Sequence, residues 1–243
     1  MGKTILNTRP ETDSGDLDTL LKQRGYDVCH APMLSIAFPP LPADQPTINL
    51  DGVQALIFTS ANGVRAFTRH SSQRDLPVLA VGDATATTAR AAGFETVYSA
   101  NGDIHDLAGL ITRQISPDDG VLYHPAARKV AGDLGTMLAA KGYVINRQTL
   151  YEAHAATSLP QPVREGLLGG TIHAVLFFSP RTAETFVKLM ESHHTKGALT
   201  NVTALCLSPA VKDRLACLKW RKIVVAAQPT QESLLLELDT VII

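Results

Sequence analysis

The sequence of 243 residues predicts an α/β protein of two domains, each a doubly wound parallel sheet. Two observations carry this expectation. Short apolar or β-branched strands alternate with amphipathic helices, the order that builds a parallel sheet with helices on both faces. The alternation then repeats: three strand–helix units, a, b and c, are followed by three related ones, a′, b′ and c′.

The first unit opens with a strand at Thr4–Leu6 and continues into Gly15–Tyr26, GDLDTLLKQRGY. Gly132–Tyr143, GDLGTMLAAKGY, matches it at seven of twelve positions with a constant offset of 117, behind a strand at Val121–Tyr123. Leu17, Leu20 and Leu21 map onto Leu134, Met137 and Leu138, the spacing of one buried helix face. Gly25 and Gly142 then stand where a helix ends on glycine. In the second unit, Ala55–Phe67 (ALIFTSANGVRAF) is matched by Ala174–Phe186 (AVLFFSPRTAETF) at an offset of 119. In the third, Val78–Thr85 stands against Ala204–Val211, with strands at Thr96–Tyr98 and Lys222–Ala226 following.

The junction of c and a′, Ser116–Gly120, is only a tight turn. Prolines collect elsewhere, at Phe38–Pro46 and Thr157–Val163, each between an a unit and a b unit. Dividing the chain there gives one discontinuous domain, residues 1–36 plus 157–243, and a second, residues 48–150. Residues 37–47 and 151–156 are the hinge connections. Each domain thus takes its a unit from the other repeat, and the chain crosses twice.

Composition excludes several classes. With 45% apolar residues and 22 basic against 23 acidic ones, the chain is neither a disordered polyelectrolyte nor a protein that holds nucleic acid by bulk charge. The longest uncharged stretch, Val28–Ala43, holds four prolines and is too short to span a membrane. The N-terminus lacks the apolar core of a signal peptide, so the cytoplasm is the expected compartment. Cys29, Cys206 and Cys217 show no metal-ligand spacing and are expected to pack in the core.

In such sheets ligands bind beyond the carboxyl ends of the strands. Those ends carry Thr8-Arg9-Pro10, Thr59-Ser60, Gly82–Thr85, Pro125–Arg128, Ser179-Pro180, Ser208-Pro209 and Pro229-Thr230. Ser, Thr and Pro at these positions cap helices; helix N-termini facing one crevice also bind anions through backbone N–H groups. No GxGxxG follows a strand, and no P-loop or GxSxG elbow occurs. His124 and His173 read as hydrogen-bonded structural residues, and His193-His194 as a solvated helix end. Tyr151, where the chain leaves the second domain, either packs as an amphipathic ring or presents its phenol to a ligand.

The ordered set TRP (Thr8–Pro10), IFTSANGV (Ile57–Val64), VGDATATTARAAG (Val81–Gly93), Leu150-Tyr151, LFFSPRTAETF (Leu176–Phe186) and VVAAQPTQESLL (Val224–Leu235) resembles the uroporphyrinogen-III synthase family over essentially the whole chain. The resemblance implies two flavodoxin-like domains joined by a two-stranded connector, with the active site in the cleft. It implies a cofactor-free, metal-free cyclising lyase of haem biosynthesis. Linear hydroxymethylbilane, with its eight carboxylates, would lose water and close to uroporphyrinogen III, with ring D inverted through a spiro intermediate. Such a site needs orientation and exclusion of water more than a conventional triad. Carried over by motif position, Tyr151 assists departure of hydroxide, and Thr59, Ser60, Gly82, Thr85, Ser179 and Thr230 hold carboxylates. Arg9 supplies charge or braces its loop. The sequence lacks the Arg-Gly many members carry near Pro125-Ala126, leaving Arg128 as the basic contact there, and Ser208–Val211 replaces a Gly-x-x-Thr signature. A monomer is implied, with transient contact to the preceding pathway enzyme and no nucleic-acid or membrane partner.

The alternative from another class is a non-catalytic two-domain receptor that closes on an anionic small molecule; a transferase with two Rossmann-like domains lacks its glycine-rich loop. Turnover separates these. If the two crossings act as a hinge, solution scattering is expected to show a smaller radius of gyration with ligand than without; identical curves at saturation would remove the hinge.

Overall fold

A computed structural model describes residues 2–128, 134–192 and 196–242. In chain order the elements are β1 (Thr4–Asn7), α1 (Gly15–Gln23), β2 (Asp27–His30), β3 (Leu34–Ala37), β4 (Val53–Phe58), α2 (Ala61–His70), β5 (Val78–Ala80), α3 (Asp83–Ala91), β6 (Val97–Ser99) and α4 (Ile104–Gln114). They continue with β7 (Val121–Ala127), α5 (Leu134–Ala139), β8 (Ile145–Ala155), α6 (Gln161–Leu168), β9 (Ile172–Phe177), α7 (Pro180–Ser192), β10 (Thr203–Cys206), α8 (Pro209–Leu215), β11 (Lys222–Val225) and α9 (Gln231–Val241). No helix among the described residues is long and apolar enough to cross a membrane.

The chain divides into two compact units, residues 1–35 with 154–243, and residues 36–153. The first unit holds a five-stranded sheet in the order β2-β1-β9-β10-β11, parallel throughout. The second sheet runs β3-β8-β7-β4-β5-β6, with β8 through β6 parallel. Starting the count at β7 gives it the same order as the first: β8 beside β7, then β4, β5 and β6. This is a doubly wound fold in its 2-1-3-4-5 form, with the second copy circularly permuted. Each sheet therefore combines an a unit from one repeat with b and c units from the other.

Each sheet is apolar on both sides, as parallel sheets buried by helices are. In the first unit, Ile5, Ala174, Leu176 and Leu205 pack against α1 and α9, while Leu6, Val175, Phe177 and Ala204 pack against α6, α7 and α8. In the second, Ala55, Ile57, Leu79 and Leu122 face α4 and α5, while Leu56, Phe58, Val78 and Tyr123 face α2 and α3. The repeat is visible in the packing. Phe58 meets Phe67 edge-on at 6.0 Å and 73°, and the matching Phe177 and Phe186 meet at 5.1 Å and 73°. Further rings join each group, Phe94 and Tyr123 in one and Trp220 in the other.

The helix ends are equally alike. Tyr26 N–H donates to Leu21 O and Gly25 N–H to Lys22 O; Tyr143 N–H donates to Leu138 O and Gly142 N–H to Ala139 O. This is a Schellman turn, which needs the left-handed backbone found at Gly25 (φ 82) and Gly142 (φ 84). Gly132 and Asp133 of the repeat, and His193-His194, lie outside the described residues. Of the cysteines, Cys206 is buried and Cys29 half-buried, but Cys217 is exposed, correcting the expectation that all three pack inside. It follows Leu215, the last residue of α8, where the chain turns out toward solvent. Pro160 and Pro162 open α6, whose Val163 and Leu167 are buried. From the other proline-rich segment, Phe38 and Leu41 lie on the second unit's core.

Gly142→Ala is expected to cost about 1 kcal/mol by forcing a Cβ into left-handed backbone. Nothing crowds that Cβ beyond Pro117 at 3.8 Å, so the loss would be backbone strain alone. A urea midpoint unchanged from the parent would contradict the turn's role.

Candidate functional site

In a doubly wound sheet the two strands on either side of the order reversal leave a crevice at their carboxyl ends. In the first unit these are β1 and β9, in the second β7 and β4. Arg9 and Ser179 stand at the first of these places and Thr59, Ser60, Arg128 and Tyr151 at the second, while Gly82, Thr85 and Thr230 follow the strands β5 and β11; each unit is described by itself.

In the first unit, Arg9 and Ser179 stand at the β1 and β9 ends. The Arg9 loop is fixed from below: buried Asn7 donates to Asp18 at 2.7 Å and accepts from Arg9 N–H at 3.0 Å, and His30 Nε2 lies 2.9 Å from Arg9 O. The Arg9 guanidinium lies over the Phe178 ring at 3.7 Å and donates to Gln231 Oε1 at 2.6 Å. Burial pushes its pKa down, opposed by Asp13. Of the two roles expected for Arg9, bracing is the one with contacts within this unit. It ties the β1 loop to the first residue of α9, beside Thr230, whose hydroxyl oxygen accepts from Ser233 N–H at 3.2 Å. Ser179 Oγ accepts from Thr182 N–H at 3.2 Å. Capping is thus real at Thr230 and Ser179, while Ser208 at the start of α8 makes no side-chain cap bond.

In the second unit, Thr59, Ser60, Arg128 and Tyr151 share the switch point. Ser60 caps α2 by accepting from Asn62 N–H at 3.1 Å. Its side chain also faces the Tyr151 phenol closely enough to lower the phenol's pKa. Tyr151 reaches Ser60 because β8 is bulged. Ala126 pairs with Thr149 but Ala127 pairs with Tyr151, leaving Leu150 as an extra residue. Leu150 and Tyr151 therefore both lie on the α2–α3 face; strict alternation would send Tyr151 to the other side of the sheet. Gly63, on the first turn of α2, makes room: a Cβ there would stand 2.9 Å from Pro125 O and 3.9 Å from the Tyr151 ring. Burial raises the Tyr151 pKa, while the Ser60 side chain and the Arg147 charge lower it. The phenol thus keeps its proton near neutrality, and a phenolate, once formed, has a donor and a cation to stabilise it.

On the opposite face, Thr59 Oγ1 lies 3.2 Å from His124 Nε2. Burial, and then Arg147, push the His124 pKa down to about 4, so this imidazole is neutral at pH 7. In the first unit, the other strand histidine, His173, accepts from Thr4 N–H at 3.1 Å. Arg128 is exposed and donates to Glu152 at 2.7 Å. One turn along the rim, Gly82 precedes α3 in extended backbone with open space where a Cβ would stand, and Thr85 is buried in the first turn of that helix. Phe178, Gln231, Gly63, His124 and Arg147 also belong to these rims, though sequence reasoning did not choose them as site residues. The only sequence signal was indirect: Phe178 replaces the Thr59 of the other copy, and Gln231 follows the capping Thr230. Among the described residues no three His, Cys, Asp or Glu side chains gather as a metal site requires.

The family described as uroporphyrinogen-III synthase HemD matches residues 15–235. A uroporphyrinogen-III synthase of Synechococcus elongatus is 25% identical, over 98% of this chain and 95% of its own. A porphyrin biosynthesis protein HemD of Ruminiclostridium josui is 25% identical over 96% of this chain, which spans about half of that longer protein, 47%. Two crystal structures share the fold: uroporphyrinogen-III synthetase from Helicobacter pylori (TM-score 0.66, 17% identity, covering 99% and 100% of the two chains) and a mutant uroporphyrinogen III synthase from Thermus thermophilus (TM-score 0.59, 19% identity, 98% and 97%).

His124 makes a signed prediction. Its folded value of about 4 lies below the ordinary 6.5, so the unfolded chain takes up a proton first as pH falls. Stability is expected to drop by roughly 3 kcal/mol between pH 6.5 and 4 on this account. Unfolding measured across that range should be less pH-dependent in His124→Gln; an unaltered slope would mean that His124 protonates freely in the fold.

Proposed function

The chain belongs to the uroporphyrinogen-III synthase family, and from that premise we propose that it closes linear hydroxymethylbilane to uroporphyrinogen III with loss of water. The observation that carries this reading is the Tyr151 phenol, turned by the β8 bulge onto Ser60 at the switch point of the second unit.

Cyclisation begins when the terminal hydroxyl of the bilane departs. Hydroxide is a poor leaving group, and a proton supplied at its oxygen turns it into water. Tyr151 is the donor in this reading. Ser60 Oγ already accepts from Asn62 N–H, so its one proton is available to the Tyr151 oxygen as the phenol gives up its own. Arg147 adds a positive field in the same sense. General acid catalysis of this kind is worth about 10²–10⁴-fold. The remaining work is orientation. The azafulvene left behind is an electrophile that water would trap, and the last ring must turn over before it closes.

Eight carboxylates give the substrate many handles. Each unit's rim takes up part of them in this proposal. The amides at the helix starts do most of the binding, helped by the hydroxyls of Thr59, Ser60, Ser179 and Thr230. Gly82 and Thr85 hold the α3 turn, where the open space beside Gly82 lets a carboxylate approach the backbone closely. Arg9, braced on Phe178, and Arg128, offset by Glu152, act as oriented donors more than as free charges. Residues 37–47 and 151–156 serve as the hinge. The protein works as a monomer in the cytoplasm, in transient contact with the enzyme that makes its unstable substrate.

An isomer-resolved product assay tests the whole reading: wild type should yield the type III isomer over the type I that forms spontaneously, and type I alone from a folded sample would favour the anion receptor. In the same assay Tyr151→Phe should lower kcat by at least tenfold with the melting temperature kept within a few degrees. A rate equal to wild type would remove the acid role from Tyr151.

A further inference from the structure

Arg147 lies in β8, where its backbone pairs in register with His124 of β7. Its side chain is exposed, and its guanidinium donates to Ala127 O at 2.6 Å. Ala127 is the last residue of β7, so the contact sets a guanidinium at the carboxyl edge of the sheet, where a ligand would sit. An arginine has five N–H donors, and one goes to Ala127.

Two comparisons sharpen its position. Arg128, the basic residue that directly follows β7, is bound to the Glu152 carboxylate, which opposes its charge toward a ligand. Among the described residues no carboxylate pairs with Arg147, and its neighbour His124 is neutral. The register of Arg147 with His124 and its bond to Ala127 O set it at this edge, and its charge lowers the pKa of the Tyr151 phenol and of His124 alike.

We propose that Arg147 is the cationic contact for a substrate carboxylate at the rim of the second unit, in the place that residue order assigns to Arg128. A planar guanidinium held by a backbone carbonyl presents its remaining donors as a fork, the geometry that matches a carboxylate. Held there, one carboxylate side chain of the bilane would register the end of the substrate that reacts next to Tyr151. Arg147 is thus a binding residue and takes no proton. The inference rests on the proposed reaction for the identity of its ligand, and its test is arranged to stand apart from it.

The experiment measures KM and kcat with hydroxymethylbilane for wild type, Arg147→Gln and Arg147→Lys, at low and high ionic strength. Arg24→Gln, which removes a charge already paired with Asp239, is the control for net charge. Arg147→Gln should raise KM about tenfold and lower kcat by a smaller factor, because the positive field at Tyr151 is lost with the charge. Arg147→Lys should fall between, because it keeps the charge and loses the fork. Added salt should weaken wild type more than Arg147→Gln, and Arg24→Gln should follow wild type. A KM for Arg147→Gln within twofold of wild type at low salt overturns the proposal. Should Arg147→Gln fail to fold, Arg147→Lys decides, and a KM equal to wild type overturns it. If wild type forms no type III isomer, the proposed reaction falls by itself. The carboxylate site is then read by fluorescence titration with uroporphyrin III, where equal affinity of wild type and Arg147→Gln would overturn it.

Discussion

The placing of the candidate site residues in each unit follows from a constraint on parallel sheets. Strands that all point one way must all end on one edge, and every right-handed crossover must then begin there. The turns from strand to helix are therefore collected along a rim, and with them the helix N-termini and their unpaired N–H groups. Where the strand order reverses, the crossovers leave in opposite directions and a crevice opens. In the first unit this falls between β1 and β9, in the second between β7 and β4. Arg9, Ser179, Thr59, Ser60, Arg128 and Tyr151 all belong to these edges. They are far apart in sequence because the two sheets exchange their a units.

Within the second rim, a single irregularity decides what chemistry is available. The extra residue at Leu150 reverses the facing of β8 beyond it, so Tyr151 joins Ser60 and not the His124–Thr59 side. Gly63 completes the arrangement by letting α2 come within van der Waals range of the ring. The phenol's environment then holds opposing influences: burial keeps the proton on, while Ser60 and Arg147 ease its loss. A side chain on regular alternation would have met a neutral histidine instead.

The two copies have diverged where they carry their charges. Thr59 in one copy corresponds to Phe178 in the other. The threonine offers a hydroxyl beside His124, while the phenylalanine offers a flat face on which Arg9 lies. The capping residues keep a common duty. Ser60, Ser179 and Thr230 each satisfy a helix amide through the side-chain oxygen, which leaves their hydroxyl hydrogens to other acceptors. That economy lets one hydroxyl both hold a helix start and present a donor at the rim.

By itself the sequence determined the alternation of strand and helix, the internal repeat and the glycines that end α1 and the helical turn before Tyr143. These depend on local rules, periodicity and left-handed backbone, which the order of residues expresses directly. It also determined which residue types line the rims, because strand ends followed by Ser, Thr or Pro are helix starts. Only the tertiary structure decided the facing of Tyr151, the neutrality of His124, the pairing of Arg128 with Glu152 and the placing of Arg147 on the Ala127 carbonyl. A bulge is set by pairing with a neighbouring strand, a pKa by burial beneath packed helices, and an ion pair by what the adjacent strand brings near. None of these is a property of the residue or of its neighbours in sequence, so none could be read before the chain was folded.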